Sequence, residues 1–318
     1  MNVLGIRNLN VTFGTEGGPL RALRNVSFDV PRHRIVGVVG ESGCGKSTLI
    51  NAILGLLADN GQVESGQILF EERDLTQMDS LEMQAMRGSR ISTVFQDPMG
   101  ALNPVISVGK QMLHIQYRSD LGRTEKNARS VEMLRRVRIP DPKSALSRYP
   151  HEFSGGMKQR IAIAMAMMME PVLLIADEPT TALDATLEVA TIELLQELQA
   201  QIGCSVLFIS HHLGVIAELC DDVVVMYAGE VVERGTTRQI FHDPLHPYTE
   251  RLLRCDPAGQ STRTRHLPTI PGEIPDLRDP PKGCIFADRC DRRETICETA
   301  PPEVEMGGHR ACCHRVKP

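Results

Sequence analysis

The chain has 318 residues, enough for one large core or for a large and a small domain. Its formal net charge of −5 and its isoelectric point near 6.1 weigh against a function that needs an extended basic surface, such as nucleic-acid binding. The sequence contains no run of about 18 apolar residues and no pattern of a signal peptide, so we expect neither a membrane span nor a secretory leader.

In the first part of the chain, apolar and polar residues alternate over short segments, as in β-strands, and helical patterns follow. Residues 3–11 and 26–30 are predicted strands, and the apolar run 35–39 predicts a buried strand that enters a tight turn. Residues 46–57 have helical spacing. From about 100 to 160 the chain is polar and helix-like, which predicts an inserted helical subdomain.

From residue 172 onwards, strand and helix patterns alternate. Strands are predicted at 173–176 and 206–209, and helices at 187–201 and 213–219. Such alternation is typical of a parallel sheet covered by helices. Residues 223–233 predict a hairpin, and beyond it regular periodicity fades.

The segment after the buried strand has the pattern of a phosphate-binding loop. Residues 40–47 read GESGCGKS, which matches G-x-x-x-x-G-K-[ST] between a predicted strand and a predicted helix. A glycine-rich backbone turns its N–H groups toward an anion, and the helix N-terminus adds its dipole. Lys46 would contact the β- and γ-phosphates, and Ser47 would ligate Mg²⁺. Alone, the motif indicates only a nucleoside triphosphate, and the residues expected to bind it are Gly40, Ser42, Gly43, Cys44, Gly45, Lys46, Ser47 and Thr48.

The predicted strand 173–176 ends in two carboxylates, Asp177 and Glu178. Strand ends of a parallel sheet open onto the ligand crevice. Asp177 is suited to hold Mg²⁺, directly or through water. Glu178 is suited to orient and polarise a water near the γ-phosphate.

Residues 153–160 read FSGGMKQR and open an apolar helix. Alone, this segment could be a serine N-cap followed by two permissive glycines. Together with the phosphate loop and the acidic strand end, it resembles the signature motif of the ABC ATPase family. Further motifs of that family occur in order over residues 1–235. They are an adenine-stacking aromatic (Phe13), a Q-loop glutamine (Gln96), a D-loop aspartate (Asp184) and a switch histidine (His211).

The resemblance implies an α/β fold, the P-loop nucleotide-binding domain of ABC type, with a β-rich N-terminal part and an inserted helical subdomain. It also implies that two subunits enclose two ATPs, with the signature residues Ser154, Gly155 and Gly156 facing the ATP held by the partner. His211 would contact the γ-phosphate, and Gln96 the Mg²⁺ and the attacking water. Met157 and His212 depart from the common family pattern. Met157 resembles the variant found in peptide and nickel importers, and little effect is expected from His212, with altered turnover as the alternative.

Several segments resemble the ATPases of the oligopeptide, dipeptide and nickel importers, namely residues 96–104, 227–229, 246–249 and 270–272. This implies an importer of peptides or a related small solute. The expected partners are a second, different ATPase, two membrane permeases and an extracytoplasmic solute-binding protein, and no nucleic acid. The expected location is the cytoplasmic face of the membrane, with residues 96–117 receiving a permease helix.

Five of the nine cysteines lie in the last 35 residues, within a predicted C-terminal extension (236–318) that follows the ATPase domain (1–235). Cys284, Cys290, Cys297 and Cys313 are spaced more widely than the C-x₂₋₄-C pairs of zinc sites. Four thiolates can instead hold a [4Fe–4S] cluster. The spacing resembles the tail of the peptide-importer ATPases, where the last ligand precedes a histidine, which favours Cys313 over Cys312. Zinc, and reduced or paired cysteines, remain alternatives.

Two other functional classes compete with a transporter. The first is an ABC-type ATPase that acts on DNA or ribosomes. Against it, no long heptad run separates Gly40 from Ser154, and the chain carries one ATPase unit. The second is a redox-sensing binding module in which ATP hydrolysis is secondary.

Overall fold

The computed structural model describes residues 1–95, 97–181, 184–256 and 268–317. Contacts divide the chain into two compact units, Met1–Ser80 together with Phe208–Pro318, and Leu81–Leu207.

Strands and helices follow one another in a mixed α/β order. The strands are β1 (Asn2–Thr15), β2 (Gly18–Pro31), β3 (Ile35–Val39), β4 (Gly61–Phe70), β5 (Arg73–Asp74), β6 (Ile91–Val94), β7 (Leu173–Asp177), β8 (Ser205–Ile209), β9 (Asp222–Tyr227), β10 (Glu230–Thr236), β11 (Glu303–Met306) and β12 (His309–Cys312). The helices are α1 (Lys46–Leu54), α2 (Ser80–Met86), α3 (Pro98–Ala101), α4 (Val108–Ile115), α5 (Arg123–Arg136), α6 (Pro142–Ala145), α7 (Gly155–Met167), α8 (Ala185–Ile202), α9 (Leu213–Leu219), α10 (Thr237–His242) and α11 (Pro247–Arg254).

An antiparallel sheet in the order β2-β1-β4-β5 forms one layer of the first unit. Its buried face follows from the alternation of apolar residues along each strand. In β1, Leu4 pairs with Val30 of β2 and with Phe70 of β4, and all three side chains are buried. This sheet therefore contributes one side of the unit's core.

A second set of strands in the first unit is adjacent in the order β11-β12-β10-β9-β3. Strand β3 is buried along its whole length and pairs in parallel with β9. Strands β9 and β10 form the predicted hairpin, in which Ala228 (φ 46°) and Gly229 (φ 86°) both adopt the left-handed conformation that a tight two-residue hairpin turn requires. The β11–β12 hairpin near the C-terminus extends this set, because β12 pairs with β10.

The second unit contains the parallel pair β6 and β7 and most of the helices. The four residues of β6, Ile91–Val94, align with Leu173–Ala176 of β7. Helix α8 begins at the N-cap Asp184 and ends at Gly203, which has the left-handed conformation (φ 73°) common at helix ends. No helix within the described ranges is both long and apolar enough to cross a bilayer.

Most predicted elements are confirmed. Strands β5 and β6 and helix α2 were not predicted, and three further differences follow. Helix α1 ends at Leu54 rather than at residue 57, because Gly55 adopts a left-handed conformation (φ 61°) that terminates it. Strand β4 was not predicted, and its first half is polar and largely exposed. The chain after residue 235 was read as lacking periodicity, yet it contains α10, α11 and the β11–β12 hairpin.

Candidate nucleotide-binding site

The loop between β3 and α1 has a backbone that glycine alone fits well. Gly40 (φ 154°) and Gly45 (φ 103°) lie outside the usual range of residues with side chains. A Cβ on Gly40 would lie 2.1 Å from the carbonyl oxygen of Met226, and one on Gly45 would lie 2.9 Å from that of Ala22. The first and sixth positions of the motif are therefore fixed by close approach of neighbouring backbone.

Lys46 is folded over this loop and is almost fully buried. Its ammonium group donates hydrogen bonds to the carbonyl oxygens of Gly40 (2.7 Å) and Glu41 (3.0 Å). Burial raises the pKa of the neighbouring Cys44 thiol, and the positive charge of Lys46 opposes that rise. The loop thus holds a cation at its centre, as a phosphate site requires.

The loop is also anchored to the β9–β10 turn. The Gly229 N–H donates to the Cys44 carbonyl oxygen (3.0 Å), and the Gly229 carbonyl oxygen accepts from the Arg24 N–H (2.8 Å). At the other end, the Leu49 N–H donates to the Gly45 carbonyl oxygen (2.9 Å), which starts the first turn of α1. These bonds hold the loop in shape within the first unit before any ligand arrives.

Phe13 and His211 belong to the same unit as the loop. Phe13 is partly exposed and lies over Gly61, where a Cβ would approach its ring to 2.5 Å. His211 is exposed and follows the end of β8. The preceding Ser210 N–H donates to the carbonyl oxygen of Val38 (3.4 Å), two residues before Gly40. His211 therefore follows a residue that is hydrogen-bonded to the end of β3, where the phosphate loop begins.

Asp177 and Glu178 lie at the carboxyl end of β7 in the second unit, and both are partly exposed. Glu178 has a positive φ of 45°, a conformation that is strained for a residue with a side chain. Its carboxylate accepts a hydrogen bond from the Thr181 hydroxyl (3.1 Å).

Gln96 and residues 182–183 lie outside the described residues. The strand that leads toward Gln96 is described, and Val94 at its end aligns with Ala176 of β7. Asp184, the D-loop residue, is exposed, and its carboxylate accepts from the N–H groups of Thr186 (3.1 Å) and Leu187 (3.0 Å) as the N-cap of α8.

The signature residues form the start of α7. Ser154 is the N-cap, and its hydroxyl accepts from the Met157 N–H (3.4 Å). Ser154 and Gly155 are exposed, and a Cβ on Gly155 would meet nothing within 4 Å. Gly156 is buried against the side chain of Leu187 (3.1 Å from a Cβ). This helix start therefore presents backbone and hydroxyl groups outward from the second unit.

Two residues that bind the phosphate loop, Arg289 and Tyr248, were not identified from the sequence. The two terminal guanidinium nitrogens of Arg289 donate to the Glu41 carboxylate (2.8 and 3.0 Å), and the Tyr248 hydroxyl accepts from the Glu41 N–H (3.0 Å). The available signal was Glu41 itself. A carboxylate inside a loop that holds phosphate needs a cation partner to offset its charge.

The four cysteines chosen from spacing line one small cavity, and Cys312 does not. The wall also includes His246, Phe286, Arg292, His314 and Arg315. Backbone N–H groups of Phe286 and Arg292 donate to the sulfurs of Cys284 and Cys290. Burial raises the pKa of Cys284 to about 11 and that of Cys312 to about 12. Among the described residues, no group of three or more His, Cys, Asp or Glu side chains is arranged to hold a single metal ion.

Comparison with known proteins gives matches along nearly the whole chain. The family model described as ABC transporter matches residues 23–181, and the one described as oligopeptide/dipeptide transporter, C-terminal region, matches residues 232–297. A dipeptide transport ATP-binding protein, DppD of Bacillus subtilis, is 46% identical over 98% of this chain and 94% of its own length. An oligopeptide transport ATP-binding protein, OppD of the same organism, is 46% identical over 96% of this chain and 86% of its own.

A solved structure is also similar. It is a dimeric ATP-binding cassette in a post-hydrolysis state, bound to ADP and phosphate, and it is 26% identical with a TM-score of 0.65. The match covers 74% of this chain and 99% of that one. Its fold agrees with the strand–loop–helix geometry around Lys46. The chain belongs to the ABC transporter family and has the nucleotide-binding fold of its ATPase subunits.

Proposed function

We propose that this protein is the ATP-hydrolysing subunit of an importer for peptides or a related small solute. The observation that carries the proposal is the preorganised phosphate loop, with Lys46 held over left-handed glycines at the start of α1. The relatives that match almost end to end are named as dipeptide and oligopeptide transport proteins, which supports the solute class. Neither relative is named for an action on DNA or ribosomes.

Each site residue has a proposed role in hydrolysis. Lys46 and the loop N–H groups hold the phosphates, while Ser47, Gln96 and Asp177 bind Mg²⁺. Glu178 orients and polarises the attacking water, and His211 contacts the γ-phosphate. The assignment of Glu178 is supported by its place directly after Asp177 at the carboxyl end of β7.

The remaining site residues act across a dimer interface. The exposed Ser154–Gly155 start of α7 would bind the γ-phosphate held by a second ATPase subunit, through its N–H groups, hydroxyl and helix dipole. Asp184 would lie at the same interface. ATP then favours the closed dimer, and its hydrolysis removes the bridging charge, which allows opening.

The proposed partners follow from this role. The motion of two ATPase subunits would drive two membrane permeases, with a solute-binding protein on the far side and the ATPase at the cytoplasmic face. Residues 1–235 would form the ATPase domain, with its helical subdomain at about 100–160, and 236–318 the extension. The permease would contact residues within 96–117, where Val105 and Tyr117 are largely exposed apolar side chains.

We also propose that Cys284, Cys290, Cys297 and Cys313 hold a [4Fe–4S] cluster. The support is that all four line one cavity, and that Cys284, Cys297 and Cys313 are shielded from solvent. N–H groups that point at the Cys284 and Cys290 sulfurs would stabilise those thiolates and tune a bound cluster.

The motor role is tested by Glu178→Gln in the assembled transporter. The variant should keep ATP binding, accumulate as the ATP-bound dimer and lose transport, because the water is no longer polarised. Transport at the wild-type rate would show that Glu178 does not have this role.

The cluster is tested by Cys313→Ser with Cys312→Ser as the matched control. Iron and sulfide content after anaerobic purification should fall in the first variant and stay at the wild-type level in the second, because Cys313 alone of this adjacent pair lines the cavity. Wild-type protein without iron would contradict the assignment.

A further inference from the structure

The strongest polar contact between the C-terminal tail and the phosphate loop is made by Arg289. Its side chain is 4% exposed, and its guanidinium donates two hydrogen bonds of 2.8 and 3.0 Å to the Glu41 carboxylate. Glu41 is the second residue of the loop, 248 positions earlier in the chain. Bidentate arginine–carboxylate pairs are among the stronger and more directional hydrogen-bonded contacts in proteins.

The guanidinium of Arg289 is fully engaged in the first unit. It also donates to the carbonyl oxygens of Ile270 (3.0 Å) and Pro271 (2.9 Å) and to the Tyr227 hydroxyl (3.2 Å). Burial favours the neutral form of Arg289, but the hydrogen bonds to Glu41 and Tyr227 outweigh it, so that its pKa is raised. Three partners besides Glu41 thus hold the positive charge of Arg289 in place.

Arg289 also borders the cysteine-lined cavity. The residue that follows it is Cys290, and its own N–H donates to the carbonyl oxygen of Phe286, another wall residue (3.1 Å). Any change in the cavity that moves Cys290 therefore acts on the backbone of Arg289 directly.

A second route joins the cavity to the same loop residue. His246 lines the cavity, and its Nδ1 accepts from the Tyr248 N–H (3.1 Å). The Tyr248 hydroxyl accepts from the Glu41 N–H (3.0 Å). The rings of Tyr227, Tyr248 and Phe286 fill the space between the two routes, with centroids 4.7 to 5.4 Å apart and nearly no exposure. A packed core of this kind transmits displacements rather than absorbing them.

We propose that Arg289 is a positioning residue for the nucleotide, which cancels the charge of Glu41 in the phosphate loop and couples ATP binding to the state of the cysteine-lined cavity. Without Arg289, an unpaired carboxylate would stand within a loop that must accept a triphosphate. The inference rests on the proposed function, because it requires that this loop bind ATP.

The test measures the dissociation constant of ATP by calorimetry, with metal-free full-length chain in EDTA to prevent hydrolysis. Arg289→Ala should weaken ATP binding about tenfold or more, because a like charge near the phosphates is left uncompensated. Adding Glu41→Gln to Arg289→Ala should restore most of the affinity. Arg293→Ala is the matched control, since Arg293 pairs with Asp288 and Glu298 in the tail, and it should bind ATP as wild type does.

Recovery of ATP affinity in the double variant would show that Arg289→Ala acts through the charge of Glu41. If Arg289→Ala instead damaged the fold, the second substitution would not restore ATP affinity. Arg289→Lys provides a milder version, since lysine keeps the charge but not the paired geometry, and it should fall between wild type and Arg289→Ala. Unchanged affinity in Arg289→Ala, or no recovery in the double variant, would overturn the positioning role.

The coupling is also measured at the cavity, in the same metal-free chain, because a Cys290 that held a cluster would not be free to react. Mass spectrometry gives the rate at which Cys290 is alkylated. Coupling between two sites is reciprocal, so ATP should change the alkylation rate of Cys290 in the wild type and leave it unchanged in Arg289→Ala at saturating ATP. A rate that ignores ATP in the wild type would overturn the coupling. The wild-type chain distinguishes the levels of failure: if it does not bind ATP, the proposed function itself is wrong, whereas if only the Arg289 results fail, this inference alone is wrong.

Discussion

Two helices begin with glycines that are proposed to bind phosphate, and the surroundings of the two helix starts differ. The start of α1 is enclosed: Gly40 and Gly45 lie against backbone carbonyl oxygens, and Lys46 is buried over the loop. The start of α7 is open: Ser154 and Gly155 are exposed, and nothing lies within 4 Å of a Cβ on Gly155. An enclosed helix start suits a ligand held by the chain itself, and an open one suits a ligand presented by another molecule.

This contrast predicts that the two helix starts respond differently to substitution. A change at the α1 loop should damage stability and ATP binding within one chain. A change at the start of α7 should leave ATP binding within one chain intact, should alter stability by no more than the loss of a helix cap, and should have its main effect when two chains meet.

The largest expected effect comes from Gly155→Asp. An aspartate in the first turn of α7 favours the helix dipole, so the free energy of unfolding should not decrease. The same charge would repel a phosphate presented by a partner, and ATP-dependent association should weaken about a hundredfold. Light scattering of the Glu178→Gln background with and without ATP measures it. Gly155→Asn, similar in size but neutral, is the control. Undiminished dimer in Gly155→Asp would contradict the interface role of this helix start.

The next effect concerns Gly40→Ala. The added methyl group would collide with the carbonyl oxygen of Met226, so the free energy of unfolding should fall by about 3 kcal/mol. Gly43→Ala is the control, because Gly43 also has a positive φ (81°) but open space around it, and it should cost about 1 kcal/mol. Urea denaturation measures both. Equal losses would show that enclosure of the loop contributes nothing beyond backbone strain.

The smallest effect is expected for Ser154→Ala. Loss of the hydroxyl that caps α7 should reduce the free energy of unfolding by about 1 kcal/mol. Ser154→Asn restores a cap but not a hydroxyl directed at a partner's phosphate. If Ser154→Asn recovers stability without recovering ATP hydrolysis in the assembled transporter, capping and phosphate contact are separate functions of this serine. If Ser154→Asn recovers both stability and ATP hydrolysis, Ser154 acts only as the N-cap of α7.

Local sequence predicted much of this fold because many of its elements depend on neighbours along the chain. The strand 35–39, the helix 213–219 and the hairpin turn at Ala228–Gly229 agree with prediction, since apolar periodicity and left-handed turn residues act over a few positions. Strand β4 escaped prediction because half of it is polar, and its pairing with the distant β1 decides its conformation.

The candidate site was predicted in the same uneven way. The phosphate loop, the acidic strand end and the N-cap at Ser154 follow from short motifs. The contact of Arg289 with Glu41 does not, because no local pattern links residues so far apart and an arginine beside a cysteine has many ordinary explanations.

By itself, the sequence determined the chemistry of the phosphate loop, the order of the family motifs and the identity of four candidate cysteine ligands. Only the tertiary structure decided that Cys313 and not Cys312 lines the cavity, that β12 joins the sheet of β9 and β10, and that Arg289 reaches Glu41. The reason is physical. Motifs are fixed by backbone geometry over a few residues, whereas these contacts require the chain to close loops of many residues, and their free energy depends on packing that no short segment contains.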